Sequence, residues 1–288
     1  MTVPSSSRPP VFPAQTLAEM DRLYPGEAGL LRHCLPDHPL LSLEALAMMG
    51  ERLPASQVEY NPGDVPIGLR PEDVPSNGLS IGETIRTIDI NRSWAVLKNI
   101  ETVPEYRALL MDLLGELEPV VAPRTGKMLT PQGFLFISSP GSITPFHFDP
   151  EHNILLQLRG SKVMNVWAAG DERFAHRIEH ERYHTGGHRN LPWAEEYLGD
   201  ARQVPLGPGD AVLMPVMAPH FVVNGDAPSI SLSITWRSEW SYRESEAHAA
   251  NAVLRRMGFD PAMPPRWPKH ARVKTTAWRA ARKLRLVS

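Results

Sequence analysis

Apolar residues follow two different periods along the chain. Between residues 38 and 120 they recur at three- and four-residue intervals. HPLLSLEALAMMGERL (38–53) carries the spacing of an amphipathic helix with Ser42 placed as its N-cap. PEYRALLMDLLGELEPV (104–120) is a second helix opened by a first-turn proline, with Leu109, Leu110, Leu113, Leu114 and Leu117 as its core stripe. SWAVLKNI (93–100) alternates like a strand between them, and residues 61–82 carry turn signals. From Gly133 the period falls to two. Strands are expected at 133–139, 143–148, 153–160 and 161–168, and after a Gly-Pro-Gly-Asp turn within 204–215, with hairpin bends at Arg159-Gly160-Ser161 and Asn224-Gly225-Asp226. Short antiparallel strands at this density predict a mainly β fold with flanking helices, its core a jelly roll, or double-stranded β-helix.

The domain organisation follows from the same pattern. Residues 1–15 are a Ser- and Pro-rich arm; 16–132 form a mixed helical region packed on the barrel; 133–243 form the barrel; 244–288 form a helical, basic tail. A polar insertion at 170–203 interrupts the barrel and reads as a solvated loop or lid over its mouth. Its histidines His176, His180, His184 and His188 recur every four residues, but Gly186-Gly187 opposes one helix carrying all four.

Composition narrows the class. The 288 residues carry a net charge of −2 and 42% apolar residues, which suits a soluble globule without a global preference for nucleic acid or anionic membranes. No apolar run reaches the length of a membrane span, and the N-terminus lacks the apolar core of a secretory signal. The single cysteine, Cys34, fits a cytoplasmic, reducing setting and is expected to be buried. The 29 prolines fall largely between segments, as in a β-rich fold. Arg266, Lys269, Arg272, Lys274, Arg279, Arg282, Lys283 and Arg285 give the tail a charge that can meet nucleic acid or a membrane surface, or simply remain solvated.

Within the barrel, His147 and Asp149 stand two residues apart, so a strand would point both to one face. His220 follows Ala-Pro in a later strand. Two imidazoles and one carboxylate are the set that holds Fe(II) on one face and leaves the other open.

The neighbours of these residues carry a resemblance. Thr144, Pro145, His147, Asp149 and Asn153, then Gln157, Gly160 and Lys162, then Gly209, Asp210, Pro215 and His220 follow the order and spacing of one motif set. From Gly133 to Trp236 the chain resembles the JmjC or cupin-like Fe(II)/2-oxoglutarate dioxygenases, among them the asparaginyl hydroxylase acting on hypoxia-inducible factor. The resemblance implies a cupin barrel, Fe(II), 2-oxoglutarate as co-substrate and O₂. His147, Asp149 and His220 would bind the metal. Lys162 and Thr144 would hold the distal carboxylate of 2-oxoglutarate, with Asn153 near the iron. The family often has an Asn near Ser233; here Ser229, Ser231, Ser233 and Thr235 form a hydroxyl face, expected to give a wetter or smaller co-substrate contact. The adjacent Arg237 is a further candidate carboxylate partner.

These residues imply hydroxylation of a C–H bond, on a protein or peptide side chain or on a small molecule. The competing reading is a non-catalytic cupin that binds without turnover. The C-terminal helix beginning at Glu244 offers a surface for a homodimer.

Overall fold

The computed structural model describes residues 9–62 and 77–285. The first eight residues of the arm and residues 63–76 of the expected 61–82 loop lie outside them. Helices α1 (Ala14–Leu23), α2 (Leu43–Arg52), α3 (Ile81–Arg86) and α4 (Pro104–Thr125) precede the barrel, interleaved with β1 (Gly29–Arg32), β2 (Val58–Pro62) and β3 (Ser93–Lys98). Ser42 caps α2 as expected, its hydroxyl accepting from the Ala45 N–H. All five leucines of the α4 stripe are buried, but the helix runs through Pro119 and Pro123 to Thr125.

The barrel comprises β4 (Leu129–Ser138), β5 (His152–Arg159), β6 (Lys162–Val166), β7 (Arg202–Leu206), β8 (Asp210–Met214), β9 (His220–Asn224) and β10 (Ser229–Arg237). A seven-stranded antiparallel sheet has the order β1-β8-β5-β10-β4-β3-β2, and a second sheet the order β7-β6-β9. Residues 143–147 extend the second sheet through single bridges, Ile143 to Val223 and His147 to His220. Counting that segment, the two barrel layers interleave as a double-stranded β-helix of the cupin type.

Burial follows from the period of two. On one face of the large sheet Leu135, Ile137, Ile154, Leu156, Leu213, Ile230, Leu232 and Ile234 join the helices in one core. The other face turns Leu155, Val212 and Met214 toward Met164, Val166, Val204, Leu206 and Val222 of the small sheet. β5 is buried on both faces except at Arg159, which accounts for the consecutive Ile154, Leu155 and Leu156.

Two expected hairpins are not hairpins. β5 pairs with β8 and β10, while β6 pairs with β7 and β9; β9 and β10 likewise lie in different sheets. The chain reverses at both bends but crosses between layers. At the first crossing Gly160 has φ +67°, and an added Cβ would sit 2.2 Å from the Pro228 carbonyl oxygen. Gly160→Ala is therefore expected to destabilise the fold by about 2–4 kcal/mol, from left-handed strain plus a backbone clash. An unchanged urea midpoint would contradict this.

Residues 143–148 also depart from the expectation of a regular strand, because Pro145 has no N–H to give to a ladder. Cys34 is exposed rather than buried. The 170–203 insertion is packed along its first half and at Leu191, and largely exposed elsewhere. It carries α5 (Arg177–Tyr183), and Phe174, Ala175 and Leu191 share a core with Phe146, Phe148 and Trp167. His180 is fully buried, stacked between Phe148 at 4.9 Å and His248 at 4.8 Å. His184 also stacks on His248, whereas His188 lies beyond the glycine pair.

The tail also folds back. α6 (Glu239–Arg256) ends just before Gly258, the expected stop, with φ +90°. α7 (Arg272–Lys283) packs Trp278 onto Ala249 and Ala250 of α6. No described helix is long and apolar enough to cross a membrane.

Candidate metal centre

Phe146 and Phe148 point into the aromatic core shared with the insertion, which leaves His147 and Asp149 to face the barrel. His220 comes from the first position of β9, bridged to His147 by reciprocal backbone hydrogen bonds of 2.9 and 2.8 Å. The bridge brings together two residues that are 73 positions apart in the chain. Asp149 Oδ2 lies 3.7 Å from the Nε2 atoms of both histidines. Among the described residues this is the one group of three or more potential metal ligands whose donor atoms lie mutually within 4.8 Å.

The tautomers are fixed by one device used twice. His147 Nδ1 is 2.7 Å from the Pro145 carbonyl, and His220 Nδ1 is 2.9 Å from the Ala218 carbonyl. A carbonyl only accepts, so each Nδ1 donates and each Nε2 keeps its lone pair toward the shared centre. Burial lowers His220 to about 4, with His147 adding to the effect, so it is a neutral donor at neutral pH. For Asp149, burial alone would favour the neutral acid. His147, His220 and Arg189 outweigh it and hold the carboxyl below its ordinary value. Two imidazoles and one carboxylate, converging on one point, fit a divalent metal.

Deeper in the barrel, Lys162 shares a face with Met164 and Val166 and is 5% exposed. β6 is the middle strand of its sheet, which removes the possibility of a lysine on a solvated edge. Burial lowers its pKa to about 7, and no carboxylate among the described residues opposes the shift. A buried ammonium without an acid is a costly arrangement that an anionic ligand relieves. Thr144 Oγ1 accepts from the Val222 N–H at 2.8 Å, so its own hydrogen remains available to an acceptor.

The hydroxyl face of β10 is not wet. Ser229, Ser231 and Ser233 are at most 2% exposed and bond across to β5. Ser233 donates to Asn153 Oδ1 at 2.8 Å, and Ser231 donates to Gln157 Oε1 at 2.7 Å. Gln157 in turn donates to Ser229 and to the carbonyls of Arg159 and Gly160. Ser233 therefore orients the Asn153 side chain through its Oδ1. The same network fixes the turn that carries Lys162. Arg237 donates to Ser241 and Ser245 and stacks on Tyr242, with Glu151 3.8 Å away. It closes the end of β10 onto α6.

Arg189 had no place among the expected site residues. Its Nη1 lies 2.5 Å from Asp149 Oδ1, reaching in from the insertion. A cavity of about 470 Å³ is lined by Pro150, which follows Asp149 in the chain, and by Tyr183, His184, Tyr242, Glu246 and Trp278 among others; none of the three candidate ligands lines it.

No family model matches the chain. It is similar to Jumonji C domain-containing protein 5 of Drosophila melanogaster, with 30% identity over 35% of this chain and 26% of that protein. The matched stretch is thus about a quarter of that relative's length. Among solved structures it is similar to YcfD, a ribosomal oxygenase from Escherichia coli in complex with cobalt and 2-oxoglutarate. That match has 15% identity, 97% of this chain and 68% of that one covered, and a TM-score of 0.49. It also resembles the DMSP lyase DddQ from Ruegeria pomeroyi DSS-3, with 22% identity over 38% and 39% of the two chains and a TM-score of 0.24. The sequence similarity falls on a JmjC protein and does not support the narrower likeness to the asparaginyl hydroxylase.

Proposed function

We propose that this JmjC/cupin-type barrel is an Fe(II)- and 2-oxoglutarate-dependent oxygenase that hydroxylates a C–H bond of a protein or peptide side chain. The observation that carries the reading is Lys162: a buried cation without an acid, in the barrel that holds the His147, Asp149 and His220 donor set. A non-catalytic cupin has no use for that lysine, and a metal alone does not compensate it.

Iron with 2-oxoglutarate and O₂ supplies the oxidising chemistry, with succinate and CO₂ as co-products. The chain's residues supply placement. His147, Asp149 and His220 hold one face of the metal. Lys162 and Thr144 take the distal carboxylate of the co-substrate, the lysine by charge and the threonine with its free hydroxyl hydrogen. Ser233 fixes the Asn153 side chain through its Oδ1, which leaves the amide N–H groups of Asn153 for the co-substrate. The aromatic core around Phe146 and Trp167 keeps bulk water from the back of His147.

A protein or peptide substrate is favoured by the open cavity beside Pro150, whose walls mix aromatic and charged side chains. Such a cleft suits a side chain presented on a longer chain, whereas a small metabolite is more often enclosed. The basic α7 forms one wall through Trp278 and Arg282, so a macromolecular partner meeting the cavity also meets that charge. Anaerobic addition of 2-oxoglutarate to the Fe(II)-loaded protein is expected to give a visible metal-to-ligand charge-transfer band. Candidate peptides are then expected to stimulate succinate release. Absence of the band would sink the reading; succinate release driven by metabolites and not by peptides would move it to the small-molecule class.

A further inference from the structure

We infer that Arg189 is a positioning residue for the metal carboxylate, and that the 170–203 insertion is thereby part of the metal site. This rests on the reading of His147, Asp149 and His220 as metal ligands.

The two oxygens of Asp149 have different partners. Oδ2 faces the two histidine Nε2 atoms at 3.7 Å, while Oδ1 accepts from Arg189 Nη1 at 2.5 Å. A carboxylate held in this way presents one oxygen to a metal and cannot swing its second one in. Asp149 is thus set as a one-oxygen ligand, and one more metal position stays open for co-substrate or O₂.

The backbone delivers the guanidinium to this point. Leu191 N–H donates to the Phe146 carbonyl at 2.9 Å, and His147 forms a bridge with Asn190. Residues 189–191 therefore lie antiparallel to 146–148, as a further edge beyond the segment that carries two of the three ligands. Leu191 is buried in the core around Phe146, and Trp193 meets Phe146 edge-on at 5.3 Å. These contacts hold the arm in place without the ion pair, so the guanidinium is not needed as a tether. Its side chain is 55% exposed, against 17% for Asp149, and its removal leaves little buried surface unfilled. The cost of removing it should fall on the carboxylate.

Groups that hydrogen-bond a metal ligand orient it, and their loss typically weakens metal binding about 10–100-fold. Co(II) is the probe, since its ligand-field absorption reports coordination. Wild type, Arg189→Ala and Arg189→Lys would be titrated with Co(II) in the absence of substrate, each after its circular dichroism and melting curve match wild type. The expected result is a roughly 10–100-fold weaker Co(II) affinity for R189A with an altered ligand-field spectrum. R189K should recover part of both, because its ammonium can still donate to Oδ1. An R189A protein with wild-type affinity and spectrum overturns the inference. So does weakened binding with an unchanged spectrum and no recovery in R189K, which would reduce Arg189 to a structural prop. A wild-type protein whose Co(II) uptake survives His147→Ala overturns the metal reading itself, an outcome distinct from either.

Discussion

Lys162→Met is expected to abolish 2-oxoglutarate binding and, in the same protein, to stabilise the ligand-free fold. Truncating one partner of a desolvated charge pair costs about 2–5 kcal/mol, or roughly thirtyfold to several-thousandfold in affinity. The gain in stability comes from replacing an uncompensated buried ammonium by an unbranched apolar chain of similar length, worth roughly 1–4 kcal/mol. The titration of Lys162 gives an independent signature. Its folded pKa is about 7 against an ordinary 10.5, so between those values the unfolded chain binds the proton that the folded one has lost. Ligand-free stability should therefore rise with pH from about 7 to about 10 and stay level below. In Lys162→Met that rise should be absent. A 2-oxoglutarate carboxylate restores the charge, so binding above pH 7 should take up a proton and weaken as pH increases. Denaturant melts at pH 7 and 9, with calorimetry in buffers of different protonation enthalpy, measure both. A variant with the wild-type pH dependence would show that Lys162 does not carry it.

The grouping of His147, Asp149 and His220 was legible because such donor residues stand in short motifs. His147 and Asp149 are two residues apart, and Thr144, Asn153 and Lys162 stand at fixed offsets from them. The inner face of the barrel was legible from alternation, since strand side chains can only point two ways. What was not legible is which strands pair. Arg159-Gly160-Ser161 and Asn224-Gly225-Asp226 announce chain reversal, and a local reading makes them hairpins. The crossing between sheets is decided by long-range burial: β5 is covered on one side by helices and on the other by the small sheet. The serine face of β10 failed for a related reason. Hydroxyls on alternating positions suggest water, but Asn153 and Gln157 of the neighbouring strand satisfy them. Cys34 flanks the buried His33 and Leu35 yet points outward, as alternation at the end of β1 would have indicated. Arg189 sits in polar sequence and belongs to no motif. The alternating Leu191 and Trp193 were the signal that an edge strand, and not a solvated loop, begins there.

Asp149→Ala is expected to be the most damaging single change to activity and among the least damaging to the fold. Asp149 supplies the only negative charge in the donor set, and its Oδ2 is equidistant from the two imidazole nitrogens. Without it a divalent ion meets two imidazoles and the unpaired Arg189 guanidinium. By the scale for removing one member of a paired, desolvated charge, binding should weaken by at least 3–5 kcal/mol, roughly a hundredfold to several-thousandfold. Succinate production should fall to the level of a metal-free control. The fold should tolerate the change because Asp149 lies on a segment held by backbone bridges to His220 and Asn190, and Phe146 and Phe148 fill the core on either side of it. Arg189 is exposed enough to hydrate once released. Stability should consequently move by about 1 kcal/mol or less. Gly160→Ala makes the opposite pattern, since it strains the turn before Lys162 and leaves every donor in place. Comparing the two by urea melts and by Co(II) titration separates loss of the site from loss of the scaffold. Turnover by D149A above the metal-free control would remove Asp149 from the metal's ligands.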